Sequence, residues 1–103
     1  MKVYLSQLMR GKSQERIISE REAAVKALHV AYPDEEIEVL TTFLELSFGN
    51  PLLSLGQNIA KIGEADLVAM LPAWQDSRRC RIEHDVAEAY SIALSFIHVK
   101  PLL

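Results

Sequence analysis

The chain has 103 residues, half of them hydrophobic and 24% charged, with a formal charge of −3 at pH 7. That size makes one domain, residues 1–103, and the negative balance argues against a nucleic-acid polymer as partner. No apolar run approaches the ~18 residues of a membrane span, the start MKVYLSQLMRGK is too short in apolar residues for a signal peptide, and Cys80 is the sole cysteine, so a cytoplasmic protein with no internal disulfide and no membrane contact is expected.

Lys2 to Ser6 reads as a first strand, followed by the loop Gln7 to Lys12. Ser13 is a candidate N-cap, with Glu15 in the first turn where the helix dipole favours an anion. The helix runs to about Ala31. Ile17, Ile18, Ala24, Val25, Leu28 and Tyr32 form its buried stripe, while Glu15, Arg16, Glu20, Glu22 and Lys26 face water. Pro33-Asp34 breaks it. Ile37 to Thr41 alternates in part, as an edge strand would. Residues 42–54 are the least legible: a helical turn fits before Gly49-Asn50-Pro51 stops it. The segment is apolar for a loop, so it is expected to pack over the site or against a second subunit. Ser54 is read as the cap of a helix through Leu55, Ile59 and Ile62 that ends near Gly63.

Leu67 to Leu71 is an unbroken apolar run, which suits a strand covered on both faces. Pro72 ends it, because proline has no N–H for the ladder. A polar loop, Ala73 to Arg79, leads to Ile82, Val86, Ala89, Tyr90 and Ala93, whose spacing predicts a helix over 80–92 with one buried face. Leu94 to Val99 is the last strand. The alternation of strand and helix predicts an α/β fold: a doubly wound parallel sheet of four or five strands in order 2-1-3-4. Ligands of such sheets bind at the carboxyl ends of the strands, so the loops 6–12 and 72–79 should line a site at the switch point between strands 1 and 3.

Several constellations fall there. SQLMRGKS, residues 6–13, differs from the phosphate-cradling G-x-x-x-x-G-K-[ST] loop only in Ser6. The chain is very short for such an NTPase, and strand 3 continues into a tryptophan loop rather than a Mg²⁺ site. A plain strand-to-helix turn with an N-cap is therefore the leading reading, and a turn serving another ligand the alternative. Glu83, about one turn into its helix, is placed to attack an anomeric carbon, or is simply a first-turn glutamate stabilised by the dipole at ~0.3–1 kcal/mol. Arg78, Arg79 and Arg81 would suit a phosphate at a helix start. Alternatively they are solvated, or Arg79 or Arg81 pairs with Glu83 or Asp85. Trp74 is a core plug or a stacking surface. Asp76 or Ser77 caps the helix, and Asp66 is structural. His29, His84 and His98 share no ligand spacing, so no metal or other cofactor is expected. Cys80 has no evident catalytic partner and is read as packed.

MKVYLSxxMRGKS and ADLVAMLPAWQDSRRCRIEHDVAEA together resemble the small nucleoside 2-deoxyribosyltransferase-like proteins, a group that extends to the deoxynucleoside-monophosphate N-glycosidases. The resemblance covers most of the chain and is weakest over 32–54. It implies a flavodoxin-like fold, a nucleoside or nucleotide ligand, and N-glycosidic cleavage or deoxyribosyl transfer with Glu83 as nucleophile. Asn58 matches an aspartate that handles the base. Tyr4, Ser6, Met9, Arg10, Gly11, Trp74, Asp76, Ser77, Arg78 and Arg79 match or flank the substrate-binding positions. The chain departs from the pattern at Gln7 and Arg79, where glycines are usual, and at Asn58, which cannot serve as a general acid. A binding protein with weakened or lost catalysis is therefore the alternative. The apolar segments 43–55 and 97–103, with the resemblance, lead to the expectation of a homodimer or larger assembly. Arg78 and Arg79, facing Arg10 and Lys12 across the switch point, would favour a 5′-monophosphate over its nucleoside by roughly tenfold or more.

Overall fold

The computed structural model describes residues 1–42 and 50–98. Along them run β1 (Lys2–Ser6), α1 (Gln14–Ala31), β2 (Glu38–Val39), α2 (Pro51–Ile62), β3 (Leu67–Met70), α3 (Arg78–Ala89) and β4 (Ala93–Phe96), with a 3-10 turn at Trp74–Asp76 before α3. The strands form one all-parallel sheet in the order β2-β1-β3-β4, a flavodoxin-like α/β arrangement.

Strand alternation divides the core into two layers. Val3, Leu5, Leu67, Ala69 and Leu71 face one way and pack on Ala24 and Leu28 of α1. Tyr4, Val68 and Met70 face the other way and pack with Ile62 of α2 and with Cys80 and Ala87 of α3. Burial on both faces explains the unbroken apolar run of β3. Each large apolar side chain taken fully from water contributes roughly 1.5–3 kcal/mol. Leu5 pairs with Ala69 and Ser6 with Met70, and the Leu71 N–H donates to the Ser6 carbonyl at 2.9 Å. β1 and β3 therefore end level, and the loops after them leave side by side.

Three expectations change. The cap of α2 is Asn50, whose side chain accepts from the N–H groups of Leu52 and Leu53 at 3.1 and 3.2 Å, with Pro51 in the first turn. Asn50-Pro51 thus starts a helix, since proline is favoured where no intrahelical N–H is needed; the helical turn expected before it lies outside the described residues. Ser54 is buried inside that helix. The buried stripe of α3 is Cys80, Glu83 and Ala87, and Tyr90 is 78% exposed. The helix ends at Ala89, and Ser91 turns the chain at φ 57 into β4, so the apolar spacing through residue 93 is not helical. Counting only apolar residues also rotated the face, because its central member is a glutamate. The expected packing of 42–54 falls largely on residues 43–49, and that of the tail on 99–103, which lie outside the described residues. Among the described residues no helix is long and apolar enough to cross a membrane.

A candidate active site around a buried carboxylate

Tyr4 and Ser6 are two apart on β1 and so point to the same face, toward α3. α3 is set by Ser77, whose hydroxyl accepts from the Cys80 N–H at 3.1 Å. About one and a half turns of helix bring Glu83 beneath the end of β1, fully buried. Tyr4 donates to its Oε2 at 2.5 Å and Ser6 to its Oε1 at 2.7 Å. Arg79, one turn earlier, places Nη1 at 2.9 Å from Oε1 and 3.0 Å from Oε2, and donates from Nη2 to the Gln7 carbonyl at 2.6 Å. An ionised carboxylate has about four lone-pair sites. Here four donor contacts occupy them.

The electrostatics follow from that enclosure. Burial, then the neighbouring Glu83 charge and its hydrogen bond, push the Tyr4 hydroxyl far above the ordinary tyrosine value. Tyr4 is therefore held as a donor. Burial opposes the charged form of Arg79, but Glu83, Cys80 and Tyr4 together outweigh it and raise the guanidinium further.

A second polar group lies on the α1 side of the same strand end. Gln7 is fully buried; its amide donates to the Ile17 carbonyl and to Glu20, each at 3.0 Å. Lys12 Nζ sits 2.7 and 3.0 Å from the two Glu20 oxygens, and Arg16 Nε lies 3.2 Å from one of them. Burial opposes the Glu20 charge, yet the bonds from Lys12 and Gln7 prevail and lower its pKa. Lys12 is thus paired with a carboxylate on α1 in this structure, not directed at a phosphate site as the P-loop reading of residues 6–13 requires. Glu20, assigned to water on helical spacing, is turned inward. Gly11 has φ +79, a left-handed turn that glycine takes without strain.

Arg21 completes this group and was not foreseen. Its Nη1 reaches the Gln7 side-chain oxygen at 3.4 Å, and burial, helped by the nearby Arg79 charge, lowers its pKa. The signal lay in α1: Ile17, Arg21, Ala24 and Leu28 fall at i, i+4, i+7 and i+11, so helical spacing puts Arg21 on the apolar stripe.

The other expected site residues scatter around this centre. Met9 is half-buried, and its carbonyl accepts from the Lys12 N–H. Arg10, Asp76 and Arg78 are exposed, and Ser77 is spent as a cap. Arg81 donates to the Gln75 carbonyl at 2.6 Å, so of the three arginines only Arg79 enters the cluster. Asn58 is buried on α2, on the same helix face as Ser54 and Ile62. Trp74 is half-buried, stacked on His84 with ring centroids 4.7 Å apart and planes 15° apart. It also lines a cleft of about 450 Å³ with Pro72, Gln75, Phe96 and His98 at the carboxyl ends of β3 and β4. Among the described residues no group of three or more His, Cys, Asp or Glu side chains could hold a metal.

The family model of a domain of unknown function, DUF4406, matches residues 1–96. No curated protein and no solved structure matches the chain.

Proposed function

We propose a function for this chain, which belongs to the DUF4406 family, from the chemistry of its site: it cleaves or transfers at the N-glycosidic bond of a 2′-deoxynucleoside or its 5′-monophosphate. The observation that carries the reading is Glu83, a fully buried carboxylate held by Tyr4 and Ser6 at the carboxyl end of a central strand, at the switch point where such sheets bind ligands. A Glu83 oxygen attacks C1′; the C1′–N bond breaks and its electron pair leaves with the base. The base takes its proton from water, because the amide of Asn58 cannot act as an acid. Water, or a second base, then attacks C1′ and returns Glu83 as a carboxylate. Tyr4 and Ser6 hold the carboxylate's orientation, which conserves the near-attack geometry. The aromatic cleft at Trp74 offers a flat surface for the base.

The test is base release from a panel of deoxynucleosides and 5′-monophosphates by wild type and by Glu83→Gln. Release by wild type that Glu83→Gln abolishes supports the reading. No release from any substrate by concentrated wild type overturns it.

One observation favours a second reading, a nucleotide-binding protein without turnover. Arg79 neutralises Glu83 and fills its remaining lone-pair directions. Thermal stabilisation by a nucleotide with no base release would select this reading.

A further inference from the structure

Around the end of β1 stand four cations, Lys12, Arg16, Arg21 and Arg79, against two carboxylates, Glu20 and Glu83. Glu20 is taken by Lys12 and Arg16, and Glu83 by Arg79. Among the described residues no carboxylate pairs with Arg21. Both guanidiniums nearest the strand end are anchored on one residue: Arg79 on the Gln7 carbonyl at 2.6 Å, Arg21 on the Gln7 side-chain oxygen at 3.4 Å. Arg21 makes one long contact to protein, and none of its nitrogens is buried without a partner, so its remaining donors are reached by water and open to an anion. The Arg79 charge is near enough to act on it, and the local excess of two positive charges matches a dianion with several oxygens.

We propose that Arg21 and Arg79 form a receptor for a phosphate group, and that filling it draws Arg79 away from Glu83. The reading rests on the function proposed above in its second half only. With Arg79 withdrawn, Tyr4 and Ser6 still donate one bond each, and two lone-pair directions of Glu83 open toward C1′. The carboxylate exchanges one cation, the guanidinium, for another, the oxocarbenium-like carbon that develops in the reaction. The gate is specific because a neutral nucleoside brings no charge able to compete with Glu83 for Arg79. The phosphate could be the 5′ group of a nucleotide or free inorganic phosphate, and the two are separable by experiment.

The first arm uses inorganic phosphate alone. Calorimetric titration of wild type is expected to show binding that weakens with salt, and Arg21→Gln is expected to weaken it by ~10-fold or more, the loss of one charge-assisted contact. Lys61→Gln, which touches only the surface pair with Glu64, serves as the control and is expected to leave it unchanged. Should Arg21→Gln fold poorly, Arg21→Lys keeps the charge but loses the fork, and an intermediate affinity is expected. Unchanged affinity in a folded Arg21 variant overturns the receptor. The second arm follows the side-chain nitrogen resonances of Arg79 during the same titration. They should move and exchange faster with solvent as the ion pair opens; resonances that stay in place while phosphate binds overturn the release of Arg79. The third arm measures base release. Arg79→Ala should act on a deoxynucleoside that wild type turns over poorly, and inorganic phosphate should raise wild-type turnover of that nucleoside, whereas a 5′-monophosphate needs no addition. If phosphate binds and moves Arg79 but no substrate loses its base, the receptor stands and only the glycosidic reading fails.

Discussion

Arg79 and Glu83 stand one turn apart on α3, and a single guanidinium nitrogen lies 2.9 and 3.0 Å from the two carboxylate oxygens. The carboxylate side chain is fully buried and the guanidinium only 10% exposed. Losing one partner of such a pair leaves the other charge desolvated without compensation. Arg79→Met is expected to cost about 3 kcal/mol in urea unfolding, and Glu83→Gln a similar amount. The double substitution Arg79→Met, Glu83→Leu should cost less than the two single losses added together. Additive losses would show that the two residues act independently.

Tyr4 gives an alkaline signature. Its hydroxyl is raised above the ordinary tyrosine value, first by burial and then by Glu83. Below an ordinary value of about 10 both folded and unfolded states keep the proton. Above it the unfolded state releases the proton and the folded state does not, so stability falls as pH rises past about 10. Tyr4→Phe should be less stable than wild type near pH 8 by ~1–3 kcal/mol, from the lost donor to a buried acceptor. It should also lose less on going to pH 11. Parallel pH profiles for the two proteins would contradict this.

Glu20 gives the acid counterpart. Its pKa is lowered by Lys12 and Gln7 against the effect of burial. Its contribution is present above the unfolded value of 4.5 and is lost as pH falls through the lower folded value. Wild type should therefore lose stability on acidification below about pH 4.5 more steeply than Glu20→Gln, as read by denaturant midpoints across the acid range. Lys12→Met should flatten the same limb, because it removes the chief hydrogen-bond donor.

Asn50 makes two bonds to the first turn of α2. Asn50→Ala should cost about 1 kcal/mol, and Asn50→Ser or Asn50→Asp much less. A neutral Asn50→Ala in thermal unfolding would mean that the helix start is held by something other than its cap.

The sheet order was legible because it depends on two local signals, apolar runs and the lengths of the connections between them. The same is true of α1, whose Ser13 cap and Ala24 and Leu28 face appear as expected. The edges of elements were less legible. Asn50-Pro51 reads as a helix stop when taken alone; that it also starts α2 depends on the face of Ser54, Asn58 and Ile62 that the helix buries. α3 was found, but its buried face was displaced because burial there belongs to Glu83, a residue that apolar counting omits.

The sequence by itself determined that Tyr4 and Ser6 share a strand face and that Arg79 and Glu83 share a helix face. Those are consequences of periods of two and of about 3.6 residues. Only the tertiary structure decided that the two faces meet, so that four donor contacts converge on one buried carboxylate. It alone assigned Arg79 to Glu83, Arg81 to a backbone carbonyl and Lys12 to Glu20, although Arg79 and Arg81 stand two residues apart in one stretch. Arg21 depended on the fold most of all. A guanidinium on an apolar helix stripe is marked as unusual by spacing, but what it faces depends on Gln7, fourteen residues earlier, at the end of a strand. Charge pairing acts through space at a few ångströms and is ranked by burial, neither of which local sequence records.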